Sequence, residues 1–90
     1  LPNTKETAIL MMADAVEARS RTLSEYTEES IDQMVESIIN TQIAEGQLKD
    51  APISFRDVET VKKVLKEKIK SIFHSRITYP EINKNLSTNV

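Results

Sequence analysis

The sequence predicts an all-α protein built from three amphipathic helices, over about residues 4–21, 28–45 and 54–76. Two observations carry this prediction. Apolar residues recur with the 3.6-residue helical period along most of the chain, and the usual breakers are few, one glycine and three prolines in 90 residues. No segment of useful length alternates apolar with polar residues. "RITY" is the one short candidate for a strand, and it reads better as a loop or a helix end.

The first helix opens at "NTKE", where Asn3 as cap and Glu6 three residues on make a capping-box pattern with Pro2 outside. Its apolar set, Ala8, Ile9, Met11, Met12, Ala15, Val16 and Ala18, makes a wide stripe that fades at the polar linker "SRTLSEYT". Thr27 caps the second helix, and Glu28 and Glu29 suit the positive N-terminal end of its dipole. Ile31, Met34, Val35, Ile38, Ile39 and Ile43 mark its buried face, and Gly46 stands where a left-handed C-terminal cap is expected. The third helix starts at the Ser54/Asp57 box. Val58, Val61, Val64, Leu65, Ile69, Ile72 and Phe73 are expected inside, with "KKVLKEKIK" as a solvated basic flank and Pro80 as the stop. The polar, aperiodic tail 81–90 is expected to be mobile. The three stripes are broad for so small a bundle, which suggests a surface left for other helices or for a second copy of the chain.

Composition narrows the function classes. A chain of this length is one small domain at most and buries roughly 60–65% of its unfolded surface. Twelve basic residues against 14 acidic ones give no field that would attract nucleic acid or an anionic membrane, and the third helix has no aromatics interleaved with its lysines to stack bases. Without cysteine there is no disulfide framework, thiolate metal site or cysteine nucleophile. The longest apolar run, about six residues, is far short of the roughly 20 needed to span a bilayer. The N-terminus has no signal pattern, so the chain is expected to be soluble as it stands. It begins at Leu1, which suggests processing or excision from a longer protein. No Gly-rich phosphate loop, HExxH or GxSxG is present.

Asp14, within the apolar run "AILMMADAVEARSR", is the residue that asks for a reason. At about 100° per residue, Leu10, Asp14, Glu17 and Arg21 share one stripe bordering the apolar arc. One reading makes Asp14 and Glu17 ordinary boundary carboxylates partly paired with Arg21. The other makes Asp14 a metal ligand on a rigid helix, oriented by Glu17 or Arg21. A single aspartate is weak support for the second reading, because metal sites usually need three or four ligands and the chain has one histidine, His74. His74 falls at the end of the third helix, where a structural or capping role is favoured by the dipole, and no second histidine offers it a catalytic dyad.

Four blocks, "KETAILMMADAVEARSRTL", "EGQL", "SFRDVETV" and "IFHSRITYP", in this order and spacing, resemble the C-terminal end of the membrane-associated HD superfamily hydrolases. These are seven-transmembrane proteins whose cytoplasmic HD domain is a cyclic di-AMP phosphodiesterase. The resemblance covers residues 4–80, so residues 1–80 are expected to form the C-terminal portion of a helical HD domain. It implies a pair of divalent transition metals, usually manganese or iron, held by histidines, a His-Asp doublet and a final aspartate on a late helix.

Asp14 matches that aspartate, and such a carboxylate helps hold ions that activate water and neutralise a phosphodiester under attack. Glu17 and Arg21 match the pattern "ADxVEAxSR", as residues that orient the ligand or shape its surroundings. His74 matches "IFHxRIxYP", which is not taken as a metal position, and Arg19 replaces an expected small residue. The upstream histidines and His-Asp doublet do not occur in this chain. The resemblance therefore implies a full-length metal-dependent hydrolase of a cyclic dinucleotide at the cytoplasmic face of a membrane. This chain alone is expected to be inactive and without a resident metal, and to self-associate through uncovered apolar faces or to lose order in its first helix. The alternative is a non-catalytic helical interaction or dimerisation module.

Overall fold

The computed structural model describes residues 1–74. "RITY", the stop at Pro80 and the tail 81–90 lie outside the described residues, while the third helix ends at Ile72 with Phe73 as its C-cap, short of the expected end near 76. The helices are α1 (Lys5–Ser20), α2 (Glu28–Ala44) and α3 (Phe55–Ile72), with no strand among the described residues.

Each helix begins with a reciprocal capping box. For α2 and α3 the caps are the expected Thr27 and Ser54, answered by Ser30 and Asp57. For α1 the expected Asn3/Glu6 pair is displaced by one residue. Thr4 Oγ1 accepts from the Thr7 amide at 3.1 Å, and Thr7 Oγ1 accepts from the Thr4 amide at 3.3 Å. A hydroxyl at the third helical position closes the box as well as a carboxylate does, so "NTKE" and "TKET" compete and local geometry selects the second. Gly46 ends α2 as expected, with φ 73°, and the Gln47 and Gly46 amides donate to Gln42 and Ile43 carbonyls at 3.0 Å, a Schellman arrangement.

Contacts at the helix ends set the topology. Lys5 at the start of α1 pairs with Asp57 at the start of α3 (3.3 Å), while Tyr26, just before α2, stacks on Phe73 at the end of α3 with ring centroids 4.6 Å apart. Thus α1 and α3 run parallel and α2 runs antiparallel to both. Ala8, Met12 and Val16 of α1 pack on Ile31, Val35 and Ile39 of α2 and on Val58, Val61, Leu65 and Ile69 of α3, with Met34 and Leu48 completing the core.

The buried faces are narrower than the periodic stripes. Ile43, Val64 and Ile72 are 45–56% exposed, and Ala18 is exposed as well. Each helix in a three-helix bundle covers only part of its neighbours, so residues at the margins of a broad stripe stay in water. Conversely, Gln42 and Ser20 are buried. Ser20 is tolerated because its hydroxyl donates to the Glu17 carbonyl at 2.6 Å, while its own carbonyl accepts from the Tyr26 hydroxyl at 3.0 Å.

The basic flank of α3 is also not simply solvated. Lys62, Lys66 and Lys70, spaced four apart, lie against the acidic face of α2. Lys62 is buried, its apolar stem in the α2–α3 groove and its ammonium shared by Glu36 (3.0 Å), Asn40 (2.9 Å) and Glu59 (3.1 Å). Lys66 reaches Glu36 at 2.7 Å and Lys70 reaches Asp32 at 2.8 Å. Lys63 and Lys68 stay exposed as expected. A run of lysines reads as solvent-facing until the partner helix is seen to carry carboxylates at matching heights.

This ladder makes stability depend on acid. Hydrogen bonds from Lys66 and then Lys62 hold the Glu36 carboxyl below the usual carboxylate range, against the desolvation that would raise it. Burial pushes the Lys62 ammonium down, but the Glu36 and Glu59 carboxylates outweigh it and hold it above its ordinary range. Glu36 therefore contributes stability above its unfolded pKa of roughly 4.3. That contribution is lost as the pH falls through its lower folded value. Because Glu36 is partly solvated, the term is at most about 1 kcal/mol. Urea midpoints taken between pH 7 and pH 3 should fall with acid, and Glu36→Gln should flatten the fall. The Lys62 contribution has the opposite sense and is lost only as the pH rises above the lysine range.

Candidate functional site

The core line of α1, Ala8–Met12–Val16, decides where Asp14 points. Two residues past Met12 is a rotation of about 200°, so the Asp14 side chain leaves the helix on the side away from α2 and α3. It is exposed, and Leu10 one turn before it is 58% exposed. The stripe of Leu10, Asp14, Glu17 and Arg21 is thus the outward face of the helix, opposite the core rather than at its border.

On that face Arg21 Nη2 pairs with Glu17 Oε1 at 3.2 Å, one turn away, not with Asp14 two turns away. The Asp14 carboxylate has no hydrogen-bond or ion-pair partner among the described residues. Of the expected pairing of Asp14 and Glu17 with Arg21, the Glu17 half is present and the Asp14 half is not. Arginine reaches one turn comfortably, and Glu17 lies closer.

As a ligand, Asp14 fits the chemistry of a hard divalent cation. It is a carboxylate on a rigid 16-residue helix, with no partner to give up among the described residues. The described residues do not complete a site around it, since no three of their His, Cys, Asp or Glu side chains converge to hold a metal ion. His74 is exposed just past Phe73, the C-cap of α3, and joins no such group.

A cleft of about 550 Å³ lies elsewhere, between the C-terminal end of α2 and the start of α3, lined largely by Ile43, Leu48, Ile53, Phe55 and Val58. Phe55 is 80% exposed at its edge. No α1 residue lines it, so it sits apart from the Asp14 face, and it offers packing surface rather than ligand chemistry. Phe55 was not among the expected inward or site residues, although it stands one turn before Val58 at the start of α3.

Over 85 residues, 94% of the chain, the sequence is 39% identical to the cyclic-di-AMP phosphodiesterase PgpH of Bacillus subtilis. It is 32% identical over 80 residues to the PgpH of Listeria monocytogenes. The fold matches the crystal structure of the L. monocytogenes PgpH HD domain in complex with cyclic-di-AMP, with a TM-score of 0.79 and 32% identity over 87% of this chain. The chain is homologous to the PgpH HD domain. It spans 12% and 11% of the length of the two PgpH proteins and 37% of the crystallised HD-domain chain. No protein-family model matches the sequence. The three helices are therefore part of an HD-domain helical fold, and the resemblance carried by the four sequence blocks holds at the level of the PgpH HD domain. No helix among the described residues is long and apolar enough to cross a membrane.

Proposed function

We propose that the full-length protein containing this chain is a metal-dependent phosphodiesterase acting on a cyclic dinucleotide, and that Asp14 is one ligand of its metal pair. The reading is carried by the Asp14 carboxylate on the outward face of α1, without a partner among the described residues, in a chain homologous to a cyclic-di-AMP phosphodiesterase HD domain. A bound pair of divalent ions, manganese or iron by the family resemblance, supplies Lewis acidity that neutralises the phosphodiester and activates water at neutral pH.

The chain's own residues do the rest of what α1 contributes. The buried line Ala8–Met12–Val16 fixes the rotation of the helix, and that rotation presents Asp14 outward at a set height. Leu10 beside it gives an apolar surface for the remainder of the HD domain to cover, which would exclude water from the metal side of the helix. Membrane attachment of the full-length protein, on the cytoplasmic side, is part of the same proposal. So is the inactivity of the 90-residue chain by itself.

The test is direct. Incubated with Mn²⁺ and cyclic di-AMP, the isolated chain should show no turnover, whereas the full-length protein should hydrolyse the dinucleotide and lose that activity on chelation. Hydrolysis by the isolated chain, or metal-independent hydrolysis by the full-length protein, would refute the reading. The exposed apolar side chains Leu10, Ile43 and Phe55 favour a second reading, a helical interaction module. It requires that the isolated chain self-associates in sedimentation, and a well-folded monomer would count against it.

A further inference from the structure

We propose that Arg21 binds the phosphate of the cyclic dinucleotide that is not being cleaved, a role that rests on the assignment of Asp14 to the metal centre. Arg21 follows Asp14 by seven residues, two helical turns, so it shares the same face about 10 Å along the axis. Its φ of −74° and ψ of −14° keep it in helical phase although it is the C-cap of α1. Helical side chains lean toward the N-terminus, so its guanidinium projects back toward the level of Asp14, as its 3.2 Å contact with Glu17 Oε1 shows.

The other cations of α1 are committed elsewhere. Lys5 is paired with Asp57 at 3.3 Å, and Arg19 Nη1 donates to Thr22 Oγ1 at 2.6 Å. Arg21 is therefore the cation that α1 presents beside Asp14 among the described residues. Its side chain is 71% exposed and that of Glu17 59%, so their ion pair is weak and open to competition. A phosphodiester offers two oxygens that match the planar guanidinium fork. A cyclic dinucleotide carries two phosphodiesters on opposite sides of its ring. With one engaged by the metals at Asp14, the other is displaced across the ring, in the range a back-leaning Arg21 can serve. The guanidinium also offsets the charge of Glu17, which would otherwise repel that phosphate. No contact holding the end of α1 depends on Arg21, because the Tyr26 hydroxyl anchors that end through the Ser20 carbonyl.

The experiment uses the metal-loaded full-length protein and a phosphorothioate analogue of cyclic di-AMP that resists hydrolysis. R21Q should raise the Kd for the analogue and the KM for cyclic di-AMP about tenfold. Its kcat should stay within about threefold and its metal content should not change. R21K should fall between the two, keeping the charge but losing the fork. Unchanged Kd and KM in R21Q would overturn the proposal, as would loss of metal or a fall in kcat alone. D14A protein that keeps its metal and its activity would overturn the metal assignment instead, so the two failures are separable.

Discussion

Asp14→Ala in the full-length protein is expected to abolish metal-dependent hydrolysis while leaving the fold intact. Losing a residue that only orients a ligand typically costs about 10–100-fold in metal affinity or activity, and losing the ligand itself should cost more. The fold should survive because Asp14 is exposed and has no partner among the described residues, and because alanine is the better helix former. Thermal unfolding should therefore shift by no more than a surface substitution allows, about 0.5 kcal/mol. Metal analysis and turnover on the same preparation decide the matter. A variant that still hydrolyses the dinucleotide removes Asp14 from the metal centre, whereas one that fails to fold shows that α1 depends on this carboxylate in a way its exposure does not suggest.

Ile39→Ala should destabilise the chain by about 2–5 kcal/mol, while Ile43→Ala, one turn along the same helix, should cost well under about 1 kcal/mol. Both isoleucines belong to one sequence pattern. Ile39 is fully buried between α1 and α3, and its truncation leaves a cavity that close-packed neighbours cannot fill. Ile43 is 45% exposed, so most of what alanine removes was already in water. Since a small domain is stable by only about 5–15 kcal/mol in total, the first change consumes a large share of the stability. Urea unfolding midpoints of the two variants provide the check, and equal losses would contradict the packing described for α2.

The contrast between these isoleucines shows where sequence reasoning stops. Helix number, order and approximate bounds were legible because they depend on local signals: hydroxyl caps at Thr27 and Ser54, the glycine at position 46, and runs of apolar residues at helical spacing. The depth of each side chain is not a local property. Ile43, Val64 and Ile72 fit the periodic pattern and lie in water, whereas Gln42 and Lys62 break it and are buried. Lys62 is accepted because Glu36 and Asn40, 26 and 22 residues earlier, meet its ammonium across the groove. No spacing within α3 could reveal that. The Asn3 cap failed for a smaller reason, two overlapping hydroxyl and carboxylate boxes one residue apart.

The candidate site divides in the same way. Asp14, Glu17 and Arg21 could be placed on one face from their spacing alone, because helical phase is set by the chain itself. Which of the two carboxylates takes the arginine is also local, since Glu17 stands one turn from Arg21 and Asp14 two, but which way that face turns was settled only when α1 docked through Ala8, Met12 and Val16. By itself the sequence determined an all-α chain, its three helices, and a carboxylate on a stripe with one arginine, since all of these follow from backbone periodicity and local capping. The tertiary structure alone decided that Asp14 faces outward, away from the other two helices, and that the lysines of α3 clasp α2. Burial and ion pairing depend on which surfaces meet, and surfaces meet only once the helices pack.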